Sequence, residues 1–152
     1  METGRNMKAI CKTKAEKGAT ICEIPIPVIG REEVLIKVKC AALCNSDVEV
    51  YHYTPLVEKA AYALPFVMGH EFSGEIIEVG EDVVGFQIGD HVAAETHIPC
   101  GYCETCRGGH QHICGNHMGV LGRTVDGCFA EYIKLHQKAL IKLPENTTYE
   151  QG

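Results

Sequence analysis

Cys100, Cys103, Cys106 and Cys114 stand in the stretch CGYCETCRGGHQHIC at the spacing C-x2-C-x2-C-x7-C. Thiolate is a soft ligand that suits zinc at about 2.3 Å, and a set of four completes a closed tetrahedron, which is the chemistry of a structural site. Gly101 follows the first ligand directly, where the chain must turn sharply and a residue without Cβ does so at no steric cost. Gly108 and Gly109 are expected to do the same for the return to Cys114. The competing chemistry is a pair of disulfides or buried free thiols. Adjacent C-x2-C pairs, an N-terminus without a secretory apolar segment and an odd total of nine cysteines weigh against a disulfide framework. His110, His112 and His117 lie in or beside this lobe and are expected to be solvated, since the sulfurs already fill a tetrahedron.

A second constellation is Cys44, His70 and Glu71: a thiolate, an imidazole and a carboxylate. Catalytic zinc takes these ligand types while keeping one position open for water or substrate. Each also has an inert reading, Cys44 as a small buried side chain and His70 as a satisfied core histidine beside a surface acid. Ser46 and Asp47 read as a helix N-terminal pair whose hydroxyl can still face a cleft. Cys11, Cys22, Cys40 and Cys128 fall in strand-like runs and are expected to be inert core thiols. His97, just before Pro99, is either a cleft residue or an ordinary loop histidine, and Asp126-Gly127 reads as a tight turn.

Short strands must position these groups. Residues 7–13 and 20–24 are rich in β-branched residues and bounded by Gly18, Pro25 and Pro27. Val34, Ile36, Val38 and Cys40 alternate with Leu35, Lys37 and Lys39, the period of a strand with one buried face. The alternation stops at Cys44, where Asn45 or Ser46 is expected to cap a short helix with Asp47 and Glu49 in its first turn. Residues 52–64 give no pattern. After Pro65, Gly69 and Gly74 interrupt an apolar run that continues as a strand through Ile76, Ile77 and Val79; further strands are expected at 91–95, in CFAEYIKL and in LIKLP. Many short strands joined at glycine turns predict a mainly β, barrel-like domain. Thr147 to Gln151 carry overlapping S/T-x-x-E/Q boxes, the signature of a first helical turn, so the expectation is a fragment of a longer polypeptide.

The chain of 152 residues carries 45% hydrophobic residues, enough for one core, and has no apolar tract that would span a bilayer. The formal net charge of -6 and the lack of a Lys/Arg cluster argue against nucleic acid or an anionic membrane surface as partner. Without a secretory segment, the default expectation is a cytoplasmic protein.

Taken together, Cys44-x-Ser46-Asp47, GHEFSGEIIEVG, VVGFQIGDHV, the four-cysteine lobe and GCFAEYIKL resemble the N-terminal catalytic domain of the zinc-containing medium-chain alcohol dehydrogenases over residues 7–152. Within that superfamily the pattern is most similar to the threonine 3-dehydrogenase branch, followed by the sorbitol and butanediol branches. The resemblance implies a GroES-like fold, a partly open β-barrel with short helices. It implies a catalytic zinc on Cys44, His70 and Glu71 and a structural zinc on Cys100, Cys103, Cys106 and Cys114. Ser46 falls where the family places a hydroxyl that passes the substrate proton outward. Glu49 stands where the threonine branch has a histidine as the next relay member, and His52 is close enough in sequence to take that part.

The implied reaction oxidises a secondary hydroxyl of a small alcohol, threonine or a polyol, through an alkoxide at the zinc that loses hydride to NAD. The implied assembly is a homo-oligomer, commonly a tetramer, when full-length. No G-x-G-x-x-G follows a strand in this sequence, so the coenzyme half is not encoded here and the chain by itself is expected to be inactive. The rival reading is a non-catalytic, zinc-stabilised β scaffold or oligomerisation module. Counting metal ions separates the two.

Overall fold

A computed structural model describes residues 5–60 and 62–152. The opening strand β1 (Asn6–Lys12) pairs antiparallel with β2 (Thr20–Pro25), and on its other side with the two-residue β4 (Phe66–Val67). The larger sheet is built on β3 (Glu33–Ala42) and β5 (Glu71–Val79), flanked by β6 (His91–Ala94), β9 (Tyr132–His136) and β10 (Leu140–Lys142) in the order β10-β6-β5-β3-β9. A third, two-stranded ladder joins β7 (His97–Ile98) to β8 (Gly119–Val120). Helices are short: α1 (Asn45–His52), α2 (Pro55–Lys59) in the stretch the sequence pattern left open, and α3 (Glu104–Arg107).

The residues just before β9 stitch the two larger sheets into a curled, mainly β half-barrel. Ile10 N–H donates to Phe129 O at 2.7 Å, Glu131 N–H to Lys8 O at 3.2 Å, and Val38 N–H to Glu131 O at 3.1 Å. Within the curl lies the main core, with Val34, Ile36, Ile76 and Val92 fully buried and Phe72, Ile133 and Leu135 around them. The alternation read in β3 holds at Val34 and Ile36, but Leu35 is buried too; bulges between Leu35 and Ile36 and between Val38 and Cys40 disturb the two-residue period. A second cluster of Val50, Val57, Phe66 and Met68 packs the helical side.

Gly74 does not interrupt β5, contrary to the pattern-based expectation. It lies inside the strand because β3 passes so close that an added Cβ would sit 2.5 Å from Lys37 O and 2.6 Å from Ile36 Cγ2. Asp126-Gly127 does not form the expected turn, which lies instead at residues 122–124. Asp126 Oδ1 accepts from Val67 N–H at 2.9 Å and Gly127 N–H donates to Val67 O at 2.8 Å, so the pair holds the segment leading to His70. The closing residues 148–151 form a turn in which Thr148 N–H donates to Gln151 Oε1 at 3.1 Å, the contact a capping box makes. Among the described residues no helix is long and apolar enough to cross a membrane.

Cys11 and Cys128 are buried, and burial pushes both thiols up to about 12, so they stay protonated. Cys22 and Cys40 are only half-buried, because β2 is an edge strand and Cys40 follows the bulge in β3. Asp90 is a buried carboxylate. Burial alone would raise its pKa, but the Lys142 ammonium at 2.8 Å and the Gln87 N–H at 2.9 Å outweigh that and hold it below the usual carboxylate range.

Two outcomes follow. Gly74→Ala forces β3 and β5 apart and should cost about 1–3 kcal/mol in denaturant unfolding. The Asp90 contribution is fully present above the unfolded-state value of about 3.9 and disappears as pH falls through the depressed folded value. Asp90→Asn should therefore be about 1.5–3 kcal/mol less stable at neutral pH and should converge on the unaltered chain in acid, as followed by urea midpoints against pH.

Candidate metal centres

The pairing of β3 with β5 brings the first centre together. Ala42 and Glu71 are register partners, so Cys44, two residues beyond one strand end, arrives beside His70 and Glu71 at the start of the other. Cys44 is the N-cap of α1, with extended backbone angles φ -87 and ψ 156; neither Asn45 nor Ser46 holds that place. The physical reason is Asp47 at the third helical position, whose Oδ2 accepts from Cys44 N–H at 2.9 Å and fixes the helix start one residue earlier.

Cys44, His70 and Glu71 present their sulfur, ring nitrogen and carboxylate oxygen within 4.8 Å of one another. His70 Nε2 lies 3.9 Å from Glu71 Oε1 and 3.4 Å from Ser46 Oγ, while Nδ1 faces Asp47 Oδ1 at 3.5 Å. Asp47 is 4% exposed, and a buried carboxylate facing Nδ1 favours the proton there, leaving the Nε2 lone pair on the side of Glu71 and Ser46. A tetrahedral ion with ligands at about 2.0–2.3 Å needs donor separations of about 3.3–3.8 Å. His70 Nε2 and Glu71 Oε1, at 3.9 Å, are close to that separation, and the Glu71 side chain is exposed and free to adjust, so the donor set fits such an ion. The cleft beside them, about 590 Å³ and open to solvent, is lined by Phe72, Ala93, Thr96 and Tyr149 as well as His70 and Glu71.

Asp47, which the sequence pattern assigned only to helix capping, holds the backbone of one candidate ligand and faces the ring of another. Its signal was the three-residue spacing from Cys44. Glu49 accepts the Thr54 hydroxyl on Oε2 at 2.7 Å, and His52 is exposed with its ring edge-on to Tyr51 at 5.4 Å. His97 opens β7, exposed and edge-on to His117 at 5.9 Å, next to cleft-lining Thr96.

The second centre is the four-cysteine lobe. Cys100 and Cys106 sulfurs are 3.9 Å apart, Cys103 and Cys114 3.8 Å, and Cys114 and Cys100 3.5 Å. A zinc tetrahedron with Zn–S of about 2.3 Å has edges of about 3.8 Å, so the sulfurs already stand at its corners. All nine cysteines are free thiols. Gly101 and Gly109 turn with φ +82 and +83, as their places between ligands require, whereas Gly108 has an ordinary φ of -78. Burial opposes charge on Cys100, but the N–H groups of Tyr102 and Cys103 outweigh it and bring its thiol down to about 6; burial pushes the Cys106 thiol up to about 12. Four adjacent sulfurs cannot all be thiolates without a cation among them, and that is what a divalent soft metal supplies. His110, His112 and His117 are exposed.

Metal analysis should find two zinc ions in the unaltered chain, one at each of the two ligand groups. Cys44→Ser should lose one ion and change stability by less than about 1 kcal/mol, while Cys103→Ser should cost more than about 4 kcal/mol because metal and lobe folding are one equilibrium. Asp47→Asn keeps a capping oxygen but loses the charge facing His70, and should weaken the three-ligand centre about 10–100-fold in cobalt titration.

A profile of the alcohol dehydrogenase GroES-like domain matches residues 30–145. The L-threonine 3-dehydrogenase of Escherichia coli (strain K12 / DH10B) is 43% identical over 140 residues, covering 92% of this chain and 40% of the relative. Among solved structures, galactitol-1-phosphate dehydrogenase from Escherichia coli superposes with a TM-score of 0.83 at 32% identity, over 95% of this chain and 40% of that one. The alcohol dehydrogenase rspB from E. coli CFT073, complexed with cofactor NADH, gives 0.80 at 35% identity, over 97% and 41%. The chain spans about 40% of the length of these relatives. With two sets of zinc-type ligands held on such a half-barrel, the chain belongs to the GroES-like domain family of the zinc-containing medium-chain alcohol dehydrogenases.

Proposed function

We propose that this chain is the metal-bearing catalytic domain of an NAD-dependent dehydrogenase that oxidises a secondary hydroxyl of a small polar alcohol, threonine or a polyol. The observation that carries this is the convergence of Cys44, His70 and Glu71 within 4.8 Å at the edge of an open cleft, with the Ser46 hydroxyl 3.4 Å from His70 Nε2. In this reading those three residues hold a catalytic zinc, and Cys100, Cys103, Cys106 and Cys114 a structural one. A zinc ion there supplies Lewis acidity, which for bound water lowers the pKa from about 15.7 to about 7.

The chain's own residues do the rest. Asp47 fixes the orientation of the His70 ring and of the Cys44 backbone, which keeps the ligand atoms converged. Ser46 Oγ, exposed on the first turn of α1, accepts the proton leaving the substrate hydroxyl and passes it to solvent. Thr54 occupies one oxygen of Glu49, and in this reading the outward path from Ser46 runs through water. The threonine preference is supported by the 43% identity to the threonine enzyme, and use of a nicotinamide coenzyme by the NADH complex of the rspB relative. We place the coenzyme site, and the contacts that make a tetramer, in a domain other than these 152 residues.

Calorimetry of the 152-residue chain with NAD should show no micromolar binding. Joined to a coenzyme domain, the chain should form NADH from threonine or a polyol, and Ser46→Ala should lower kcat by about 10²–10⁴ with zinc content unchanged. A joined protein with both metal centres filled that oxidises no secondary alcohol would sink the proposal.

A further inference from the structure

We propose that Lys12 is a positioning residue for the three-ligand centre, its ammonium locking the far end of α1 to the β1–β2 hairpin and thereby setting where α1 presents Cys44, Ser46 and Asp47 to His70. This rests on the metal-binding role proposed for Cys44, His70 and Glu71, and extends it to a residue at the opposite end of the helix.

Lys12 closes β1 and is 1% exposed. Lysine is almost never so enclosed unless its charge is matched. Here the ammonium donates to Glu16 O at 2.5 Å, Gly18 O at 2.9 Å and Tyr51 O at 3.1 Å, so each of its N–H groups has a main-chain carbonyl, and the Tyr53 ring covers it at 5.4 Å. Two of those carbonyls belong to the turn between β1 and β2. The third, Tyr51 O, is one of the last-turn carbonyls that a helix cannot satisfy internally, and it also accepts Gly18 N–H at 2.8 Å. A cation at this point opposes the negative end of the helix dipole.

The consequence reaches the metal centre because α1 is short and stiff. Asn45–His52 makes about two turns, so a shift of Tyr51 along the axis is a shift of Cys44 by the same amount. Val50 already buries the apolar side of α1 against Val57, Phe66 and Met68. Apolar packing resists lifting the helix but only weakly resists sliding it, because contact area changes little with a small translation. Directional hydrogen bonds to Tyr51 O restrain that remaining freedom. A binding constellation needs its groups held within about 0.5 Å, so a modest slide is enough to spoil it.

Cobalt(II) titration of the 152-residue chain tests this, with Cys44→Ser identifying which part of the visible spectrum belongs to the three-ligand centre. Lys12→Met should weaken that centre about 10–100-fold and leave the four-sulfur centre unchanged. Lys12→Ala should behave the same way and be restored by added propylammonium but not by propanol, since the missing part is a cation. Tyr53→Asn keeps a residue tolerant of the left-handed backbone at φ 51 and removes the ring from both the ammonium and the Val50 cluster; it should weaken the same centre about 2–5-fold, more than Tyr62→Ala, which thins that cluster without touching the ammonium, and this difference carries the test if the Lys12 variants do not fold. Parallel weakening of both centres, no change at the three-ligand centre, or equal rescue by propanol overturns the role of Lys12. A single ion in the unaltered chain overturns the three-ligand centre itself, and this role with it.

Discussion

The ladder between β3 and β5 is the constraint on which the candidate site depends. It runs from Val34 opposite Val79 to Ala42 opposite Glu71, and it ends where the candidate ligands begin. Side chains alternate along a strand, so a one-residue slip would turn Glu71 away from Cys44 and send Ile76 and Ile36 out of the core. Burial of Val34, Ile36 and Ile76 therefore fixes the register, and the register places the site. The close approach at Gly74 and the two bulges in β3 belong to the same solution, because they let the curled sheet keep its pairing while bending toward the cleft.

The two groups of metal-type ligands stand in different physical situations. In the lobe, Cys100, Cys106 and Cys114 are themselves the buried cluster, with Cys103 packed against it, so sulfur takes the place that aliphatic side chains hold elsewhere. A donor from Lys138 to Cys100 O at 2.9 Å ties the lobe to the barrel, the β7–β8 ladder closes its two flanks on each other, and Ile98 and Leu121 on those flanks are buried in the main core. A metal bound there would take the place of a core. Cys44, His70 and Glu71 instead sit on a frame that exists for other reasons: a sheet ladder, a helix cap and the apolar cluster under α1. His70 and Glu71 also line an open cleft, so this group, unlike the lobe, has a solvent-facing side.

Much of this was legible in the amino-acid order alone. The four-cysteine spacing, the alternation in β3 and the joint occurrence of Cys44-x-Ser46-Asp47 with Gly69-His70-Glu71 are local patterns, and local patterns report ligand chemistry, strand periodicity and family membership directly. The helix after Cys44 was placed correctly to within its cap. What composition and spacing missed are features in which one residue answers to a neighbour far along the chain. Gly74 reads as a break because glycine disfavours strands, yet it is needed where β3 crosses. Asp126-Gly127 reads as a turn because that dipeptide usually makes one, yet Val67 N–H claims the carboxylate.

The sequence by itself determined which chemical groups are available and which stretches become strands, since these depend on side-chain type and on periods of a few residues. Only the tertiary structure decided that Asp47 faces His70, that Thr54 occupies Glu49, and that the ammonium of Lys12 ends up beneath α1. The physical reason is that hydrogen-bond partners and burial are set by distances of a few ångströms in space, which residue spacing does not encode until the β3–β5 register and the hairpin have closed the chain on itself.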